Sequence, residues 1–470
     1  MKNKPNIILI ITDQQRYDTV SEFGFPWMIT PALDRLAREG AFYTDCFCAA
    51  PSCVPSRYSF FNGKYPHADH VYTNGFRWEH SWVENLRDAG YTTANTGKMH
   101  TVPYTTPCGF QQRFVVENKD RPRSKHEKQR FYDEWDKFLL NSGMEKPGRD
   151  SYKQNYPGYE NALGAYEWPL EEKYHSDEFT GNMALWFINN YSSDEPLFLQ
   201  IGFPGPHPPY DPSLQYIKQY ENAEIPLPVT DDLMYSGQPP FHKTYRNEML
   251  HGNHDGIKWK ENPTPDELLR LRKYYAANVT MIDKKIGEIM KALDKKGLLD
   301  NSIVIFTSDH GDSMGDHGHI EKWTMYDENT RVPMIIWSKD RVKPGTVHTE
   351  PTQQMDIANF ILREAGVAIP ADWDAVETRP GDKTGREYIF AEHLKDNVCH
   401  GAEFWTMVRS KHHKLVYYAG EPYGELYDLE KDPGEMRNEW DNPGFITIKE
   451  KLKSELLEFR MNQSKKYCNR

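Results

Sequence analysis

A chain of 470 residues that is 38% hydrophobic and 13% aromatic can build a sizeable core, which excludes a largely disordered protein. Its 57 Lys and Arg residues and 69 Asp and Glu residues give a formal net charge of −12, so bulk charge does not favour nucleic-acid binding. An anionic substrate would need a local cationic pocket. Six cysteines are too few for a disulfide scaffold in a chain of this length.

The start of the chain does not resemble a targeting segment. Its apolar run, residues 7–11, is shorter than the ~7–15 residues of a signal-peptide core, and no small-residue cleavage site follows. No segment approaches the ~20 apolar residues of a membrane span. We expect a protein without membrane association that is cytoplasmic as written, or periplasmic or secreted if a leader was removed. The sequence leaves the oligomeric state open.

Strands and helices are predicted to alternate over most of the chain. Thr30, Pro31 and Gly40 mark the start and end of one helix, and Thr264 and Gly297 those of a longer one. Residues 51–57 are interpreted as a turn, followed by a short helix over 58–62. Short apolar runs predict strands over residues 6–11, 41–50, 197–203, 302–307 and 332–337. This alternation predicts an α/β fold with a mostly parallel sheet covered on both faces.

The pattern changes twice along the chain. Residues from about 111 to 195 are interpreted as an insertion, because the segment starts with a polar, charged and aromatic stretch of weak periodicity that could form a lid. Closely spaced strands over 388–392, 406–409, 414–418 and 426–429, with a helix over 447–460, predict a small antiparallel sheet. We therefore divide the chain into a catalytic domain, 1–375, and a C-terminal α+β subdomain, 376–470.

Two predicted strand ends carry candidate metal ligands. Asp13 and Gln14 follow the first strand, and Asp309 and His310 follow a later one. Ligands in open α/β sheets bind beyond the carboxyl ends of the strands, so these side chains could converge. Carboxylate and amide oxygens suit Ca²⁺ or Mg²⁺, and a histidine also admits Mn²⁺.

The strongest local signal is the run Cys53-Val54-Pro55-Ser56-Arg57. It resembles the Cys-x-Pro-x-Arg signature of the sulfatases, and Gly63 continues that resemblance. Segments similar to other landmarks of this family occur in the same order at residues 12–16, 97–100, 206–209, 308–322, 331–333 and 426–433. The similarity runs from residue 6 to about 435, and the segment 111–195 does not contribute to it.

The resemblance implies an alkaline-phosphatase-like fold and a hydrolase of sulfate esters, with a sulfated saccharide as the expected substrate. A maturation enzyme would oxidise Cys53 to formylglycine, whose hydrated aldehyde attacks sulfur and later expels sulfate. One divalent cation, Ca²⁺ before Mg²⁺ or Mn²⁺, would be bound by Asp13, Gln14, residue 53, Asp309 and His310.

The resemblance also implies roles for further residues. Arg57 would stabilise the hydrated aldehyde, and Lys98 and Lys322 would neutralise charge on the sulfuryl oxygens. His100 would be the base for sulfate elimination, and His207, with Lys322, would protonate the leaving alcohol. Candidate substrate-binding residues are Arg77, Trp78, His80, Tyr104, His393 and Trp405.

Two positions depart from the common sulfatase pattern. Many sulfatases have two consecutive aspartates where this chain has Asp13-Gln14, and often asparagine where it has His310. The residues found here resemble those of phosphonate monoester and phosphodiester hydrolases that also use formylglycine, so this activity is an alternative. A third hypothesis, of a different class, is an inactive relative that binds sulfated glycans.

Overall fold

A computed structural model describes residues 4–117, 132–252 and 254–468. Its strands are β1 Asn6–Asp13, β2 Ala41–Tyr43, β3 Cys46–Phe47, β4 Thr92–Gly97, β5 Gln112–Val115, β6 Leu197–Pro206, β7 Ser302–Ser308, β8 Met334–Trp337, β9 Thr346–His348, β10 Thr352–Gln353, β11 Ile389–Leu394, β12 Phe404–Arg409, β13 His413–Tyr418 and β14 Gly424–Asp428. Its α-helices are α1 Pro31–Glu39, α2 Cys53–Asn62, α3 Val83–Asp88, α4 Glu134–Asn141, α5 Arg149–Asn155, α6 Ser176–Asn190, α7 Leu214–Ile217, α8 Asp232–Gly237, α9 Pro240–His251, α10 Pro265–Lys295, α11 Asp327–Thr330, α12 Asp356–Glu364 and α13 Ile446–Cys468. Within this part of the chain, no helix has the length and apolarity needed to cross a membrane.

An eight-stranded sheet in the order β5-β4-β6-β1-β7-β8-β2-β9 forms the centre of the protein. The five strands from β5 to β7 run parallel, which confirms the mostly parallel sheet predicted from the sequence. The exception is β8, which pairs antiparallel with both β7 and β2. The apolar run that predicted β8 carries no information about strand direction.

Both faces of the sheet are covered, as the unbroken apolar run of β1 predicts. Ile8 and Ile10 point toward one hydrophobic cluster that includes the apolar faces of α1, α6 and α10. Ile7, Leu9 and Ile11 point toward the other cluster, with residues of α2, α3 and α12. The helix α10 begins with a capping box in which the Thr264 hydroxyl accepts from the Glu267 amide and the Glu267 carboxylate accepts from the Thr264 amide.

Three local predictions need correction. The segment 41–50 forms two short strands, β2 and β3, that belong to different sheets. The helix α2 begins at Cys53 and not at residue 58, because Pro55 lies in its first turn, where its missing N–H leaves no hydrogen bond unmade. Residues 111–195 are not simply inserted, since β5 forms an edge of the main sheet and α6 packs against β6. The predicted lid includes residues 118–131, which lie outside the described residues.

The C-terminal part forms the expected antiparallel sheet, in the order β11-β12-β13-β14. The helix α13 packs on this sheet and extends beyond the predicted helix. Its Phe459 also contacts Tyr65 of the N-terminal part, with ring centroids 4.8 Å apart. Because α13 joins both parts, a domain boundary at 375–376 stays a prediction.

Candidate active site

The main sheet brings its chemically active residues to one edge. Asp13 is the last residue of β1, Asp309 and His310 follow β7, and His207 follows β6 directly. Lys98 follows β4, which lies beside β6. Parallel neighbouring strands end at the same edge of a sheet, so these side chains meet although nearly 300 residues separate the first from the last.

Asp13, Cys53, Asp309 and His310 form a compact cluster. One ligand atom from each lies within 4.8 Å of the others, and all four residues are buried. The Cys53 Sγ lies 3.2 Å from His310 Nε2 and 3.8 Å from Asp13 Oδ1. The cluster therefore unites four of the five residues expected to bind the cation.

The protonation of His310 suits a metal ligand. Its Nδ1 lies 2.9 Å from the Gly311 carbonyl oxygen, which can only accept, so Nδ1 is the donor. Burial lowers the pKa of His310, so the ring is neutral and Nε2 presents a lone pair to the cluster. Metal-bound histidines commonly have this arrangement, in which the second nitrogen fixes the tautomer.

Gln14, the fifth expected ligand, is held by a network that fixes its amide. Its Nε2 donates to Asp312 Oδ2 at 2.7 Å, and its Oε1 accepts from Lys322 Nζ at 2.6 Å. The backbone N–H of Gln14 donates to Asp309 Oδ1 at 2.9 Å. The amide oxygen is thereby turned toward Lys322, whose Nζ lies 3.6 Å from the Cys53 Sγ. Asp312 was not predicted from the sequence.

Arg57 connects the two aspartates of the cluster. It lies one turn after Cys53 on α2, so both side chains are on the same face of the helix. Its Nε donates to Asp309 Oδ2 at 2.8 Å, its Nη2 to Asp13 Oδ2 at 3.1 Å, and its Nη1 to the Lys98 carbonyl at 3.1 Å. The planar guanidinium thus fixes the positions of both carboxylates.

Lys98 is placed by a close approach of β4 to β6. Its Nζ lies 2.8 Å from Asp13 Oδ2. A Cβ at Gly202 would lie 1.9 Å from the Lys98 carbonyl oxygen, and one at Gly97 would lie 2.0 Å from the Gly202 carbonyl oxygen. Only glycine fits at either position, so these two glycines determine where Lys98 enters the site.

His207 lies at the edge of the cluster. Its Nδ1 donates to the Pro208 carbonyl at 2.8 Å, and its Nε2 lies 3.3 Å from Asp255 Oδ2 and 4.0 Å from Asp13 Oδ1. Burial and the charge of Lys322 lower the pKa of His207 to about 4, while Asp255 opposes this shift. Burial therefore favours the neutral ring, whereas the oxygen acceptors beside both Nδ1 and Nε2 favour the ring that carries a proton on each nitrogen.

The remaining predicted residues are less closely connected to the cluster. His100 is buried two residues after Lys98, with its backbone in the left-handed region at φ 58°. Trp78 is only 4% exposed and donates to the His100 carbonyl at 3.2 Å, so it supports His100 from the core. Tyr104 is half-buried, with its ring centroid 6.4 Å from that of His100.

Arg77, His80 and His393 differ widely in exposure. Arg77 and His80 are exposed, and His80 Nδ1 lies 3.1 Å from Glu84 on the next helix. His393 is fully buried on β11, where its ring stacks on Trp405 with centroids 4.8 Å apart. Burial lowers the pKa of His393. Substrate contacts stay predictions for all six candidates, Arg77, Trp78, His80, Tyr104, His393 and Trp405.

Several residues around the site have an unusual backbone conformation. Left-handed backbone is uncommon for residues other than glycine and clusters at functional sites. It occurs on both sides of Lys322, at Glu321 with φ 64° and Trp323 with φ 77°. Further examples are Gln14 at φ 70°, His100 at φ 58° and Asp255 at φ 45°.

Besides Asp312, sequence reasoning missed three residues next to the cluster. His254, Asp255 and Glu321 form a second group whose ligand-type atoms lie within 4.8 Å of one another. Asp255 and His254 belong to a segment between α9 and α10 that follows no predicted strand, so its sequence gave no reason to place it at the sheet edge. Glu321 could have been suspected only from its position beside Lys322.

The donor set of the cluster fits a divalent cation. It offers two buried carboxylates, a neutral histidine nitrogen and residue 53. The amide oxygen of Gln14, the fifth expected ligand, accepts from Lys322 Nζ at 2.6 Å. Three cations, Arg57, Lys98 and Lys322, lie beside the two aspartates, and Lys322 Nζ also lies 3.9 Å from Glu321. The three cations provide the local positive charge that an oxyanion needs in a chain whose overall charge is negative.

Comparisons with known proteins agree with this geometry. The family model Sulfatase matches residues 5–367, and the family model N-sulphoglucosamine sulphohydrolase, C-terminal, matches residues 315–462. The chain is 30% identical over 455 residues to an arylsulfatase of Clostridium perfringens, covering 93% of this chain and 90% of the relative. It is 24% identical over 521 residues to an N-acetylglucosamine-6-O-sulfatase of Bacteroides thetaiotaomicron, covering 98% and 87%.

Solved structures show the same architecture. The phosphonate monoester hydrolase of Agrobacterium radiobacter superposes with a TM-score of 0.82 at 23% identity, covering 98% of this chain and 96% of that structure. This likeness concerns the fold, whereas the family model and the arylsulfatase relative concern the sequence. The predicted fold class is confirmed, and the chain belongs to the sulfatase family.

Proposed function

We propose that this protein hydrolyses a sulfate ester, with Cys53 oxidised to formylglycine by a maturation enzyme and with one divalent cation held beside it. The observation that carries the proposal is the convergence of Cys53 with Asp13, Asp309 and His310 in a buried cluster flanked by lysines. These four residues come from three distant parts of the chain, and the fold brings them to one point.

The need for maturation follows from the environment of the thiol. Burial and the neighbouring charge of Asp13 raise the pKa of Cys53 to about 12. The unmodified side chain is therefore a protonated thiol at neutral pH and a poor nucleophile. Formylglycine at this position would supply the attacking oxygen, and a bound cation would lower the pKa of that oxygen.

The cation would be held by Asp13, Gln14, Asp309, His310 and residue 53. Oxygen donors dominate this set, which favours Ca²⁺, and Mg²⁺ and Mn²⁺ remain compatible with it. Arg57 holds both aspartates in place, so its contribution is to the geometry of the ligands as well as to the charge of the site.

The lysines and His207 act on the ester itself. Lys98 and Lys322 point into the cluster with their Nζ atoms 2.8 Å from Asp13 and 3.6 Å from Cys53, where they would stabilise negative charge on the sulfuryl oxygens. His207 would donate the proton from Nε2 to the departing alcohol oxygen. His100, buried just beyond Lys98, is proposed as the base for release of sulfate.

We propose a sulfated saccharide as the natural substrate. An N-acetylglucosamine-6-O-sulfatase that is similar to this chain over nearly its whole length supports this choice. Hydrolysis of a phosphonate monoester is the second candidate, because Gln14 and His310 resemble the residues of that enzyme group. The complete set of catalytic residues argues against an inactive glycan-binding relative.

The test begins with protein that has been produced in its native host. The mass of the tryptic peptide that contains residue 53 should correspond to an aldehyde in place of the thiol. This protein should then release sulfate from 4-nitrophenyl sulfate and from N-acetylglucosamine 6-sulfate faster than it cleaves a phenylphosphonate ester. Faster cleavage of the phosphonate would favour the second candidate, and an unmodified, inactive protein would refute both.

A further inference from the structure

Asp255 is the most notable residue around the cluster that has no assigned role. It is 7% exposed, and its Oδ2 lies 3.3 Å from His207 Nε2 and 3.3 Å from His254 Nδ1. Its Oδ1 accepts from Arg149 Nη2 at 3.1 Å. Three cationic or hydrogen-bonding side chains therefore hold this carboxylate beside the histidine that faces the leaving group.

The contacts of His207 show what this carboxylate does. The Pro208 carbonyl accepts the hydrogen on Nδ1, so it fixes one side of the ring. Asp255 is the nearest acidic group to Nε2 among the described residues, since Asp13 lies farther away at 4.0 Å. Contacts at both nitrogens leave the imidazole one orientation, in which Nε2 faces the edge of the cluster that contains Cys53.

Asp255 is itself held firmly. His254 Nδ1 lies 3.0 Å from Glu321 Oε1 as well as 3.3 Å from Asp255. Glu321 is fully buried and precedes Lys322, the second residue expected to act on the leaving alcohol. Asp255 and Glu321 both have left-handed backbones, at φ 45° and φ 64°, so the fold maintains uncommon conformations to keep this chain of contacts.

We propose that Asp255 is a positioning residue for His207, with His254 and Glu321 holding Asp255 in place. The proposal rests on the proposed ester hydrolysis. As the attacking oxygen of formylglycine at residue 53 forms its bond to sulfur, the bond between sulfur and the alcohol oxygen breaks, and its electron pair stays on the alcohol oxygen. The proton on Nε2 of the doubly protonated His207 ring moves to that oxygen and leaves the ring neutral, and Asp255 stays ionised throughout while it keeps the ring aligned. Alignment of this kind matters most for alcohols that leave poorly without a proton.

The substitution Asp255→Asn tests the proposal with little structural change. Asparagine has the same shape and also tolerates a left-handed backbone, so the variant chiefly removes the negative charge. For 4-nitrophenyl sulfate, whose leaving group needs no proton, we expect kcat/KM to fall less than about threefold. For N-acetylglucosamine 6-sulfate we expect a loss of about 100-fold, because a positioned general acid typically contributes at least this factor.

Three further variants separate positioning from a general structural role. His207→Gln should show the same selective loss, and adding Asp255→Asn to it should lower kcat/KM less than about twofold more, since Asp255 acts through His207. Glu425→Gln is the matched control, because it alters another buried carboxylate that bonds a histidine, His242, at 3.0 Å. This control should not change the ratio between the two substrates.

The wild-type rates with both sulfate esters test the proposed function. The ratio of kcat/KM between the two esters, compared across the variants, tests the role of Asp255. Equal losses for both substrates in Asp255→Asn would overturn the proposal, as would a multiplicative loss in the double variant. If the wild-type protein instead prefers phosphonates, the same ratio is measured with aryl and alkyl phosphonate esters, and the same outcomes apply.

Discussion

Replacing Arg57 by lysine tests whether one guanidinium arranges the two aspartates of the cation site. The side chain is 1% exposed and bonds Asp309, Asp13 and the Lys98 carbonyl in three directions. A lysine ammonium keeps the positive charge but is a single point at the end of a flexible chain. It can replace the contact to one aspartate, and the other aspartate then loses its contact to residue 57.

The expected size of the effect follows from these bonds. A hydrogen bond to a charged group contributes about 1.5–3 kcal/mol, so loss of one should lower the free energy of unfolding by about that amount. Residues that orient metal ligands typically change metal affinity by about 10–100-fold. We therefore expect Arg57→Lys to weaken Ca²⁺ binding by this factor and to lower kcat/KM for 4-nitrophenyl sulfate by about 100-fold.

The assay combines calorimetric titration of metal-free protein with Ca²⁺ and steady-state kinetics at saturating Ca²⁺. Arg386→Lys is the matched control, because the Arg386 side chain is only 10% exposed and bonds both oxygens of Asp356, at 2.6 and 2.5 Å. It should destabilise the protein similarly but leave Ca²⁺ affinity unchanged. If Arg57→Lys binds Ca²⁺ as tightly as the wild type and keeps kcat/KM within threefold, Arg57 does not arrange the site.

Three further outcomes are expected. Cys53→Ala should lower kcat by more than about 10⁴-fold, as removal of a nucleophile does elsewhere, and any turnover near the wild-type rate would exclude residue 53 as the nucleophile. Lys322→Met, which removes the charge but keeps the side-chain length, should lower kcat/KM for a sulfate ester by about 100-fold; an unchanged value in steady-state kinetics would remove Lys322 from the mechanism. Burial lowers the pKa of His254, but the charges of Asp255 and Glu321 raise it by a larger amount, so the pKa stands at about 9. The stabilisation from this protonated ring is complete below its ordinary pKa of about 6.5 and is lost as the pH rises through about 9. His254→Gln should therefore lower the calorimetric Tm relative to the wild type at pH 6, with a difference that narrows by pH 10, and a difference that is constant with pH would contradict this.

Residues placed by strand ends were predictable because local sequence patterns locate the strands. The apolar run of β1 placed Asp13 and Gln14 at a carboxyl end, and that of β7 did the same for Asp309 and His310. The roles of Lys98, His100 and His207 came from family resemblance, since a single lysine or histidine gives no such signal. The start of α2 was misplaced because prolines at residues 51 and 55 are as common in turns as in the first turn of a helix.

The sequence by itself determined the alternation of strands and helices, the residues at two strand ends and the family. These depend on the order and spacing of nearby side chains, which the chain displays directly. The tertiary structure alone decided the antiparallel direction of β8, the orientation of the Gln14 amide and the presence of Asp255 beside His207. Each of these depends on a contact between segments that are far apart along the chain, and hydrophobic periodicity does not specify which distant polar groups will meet.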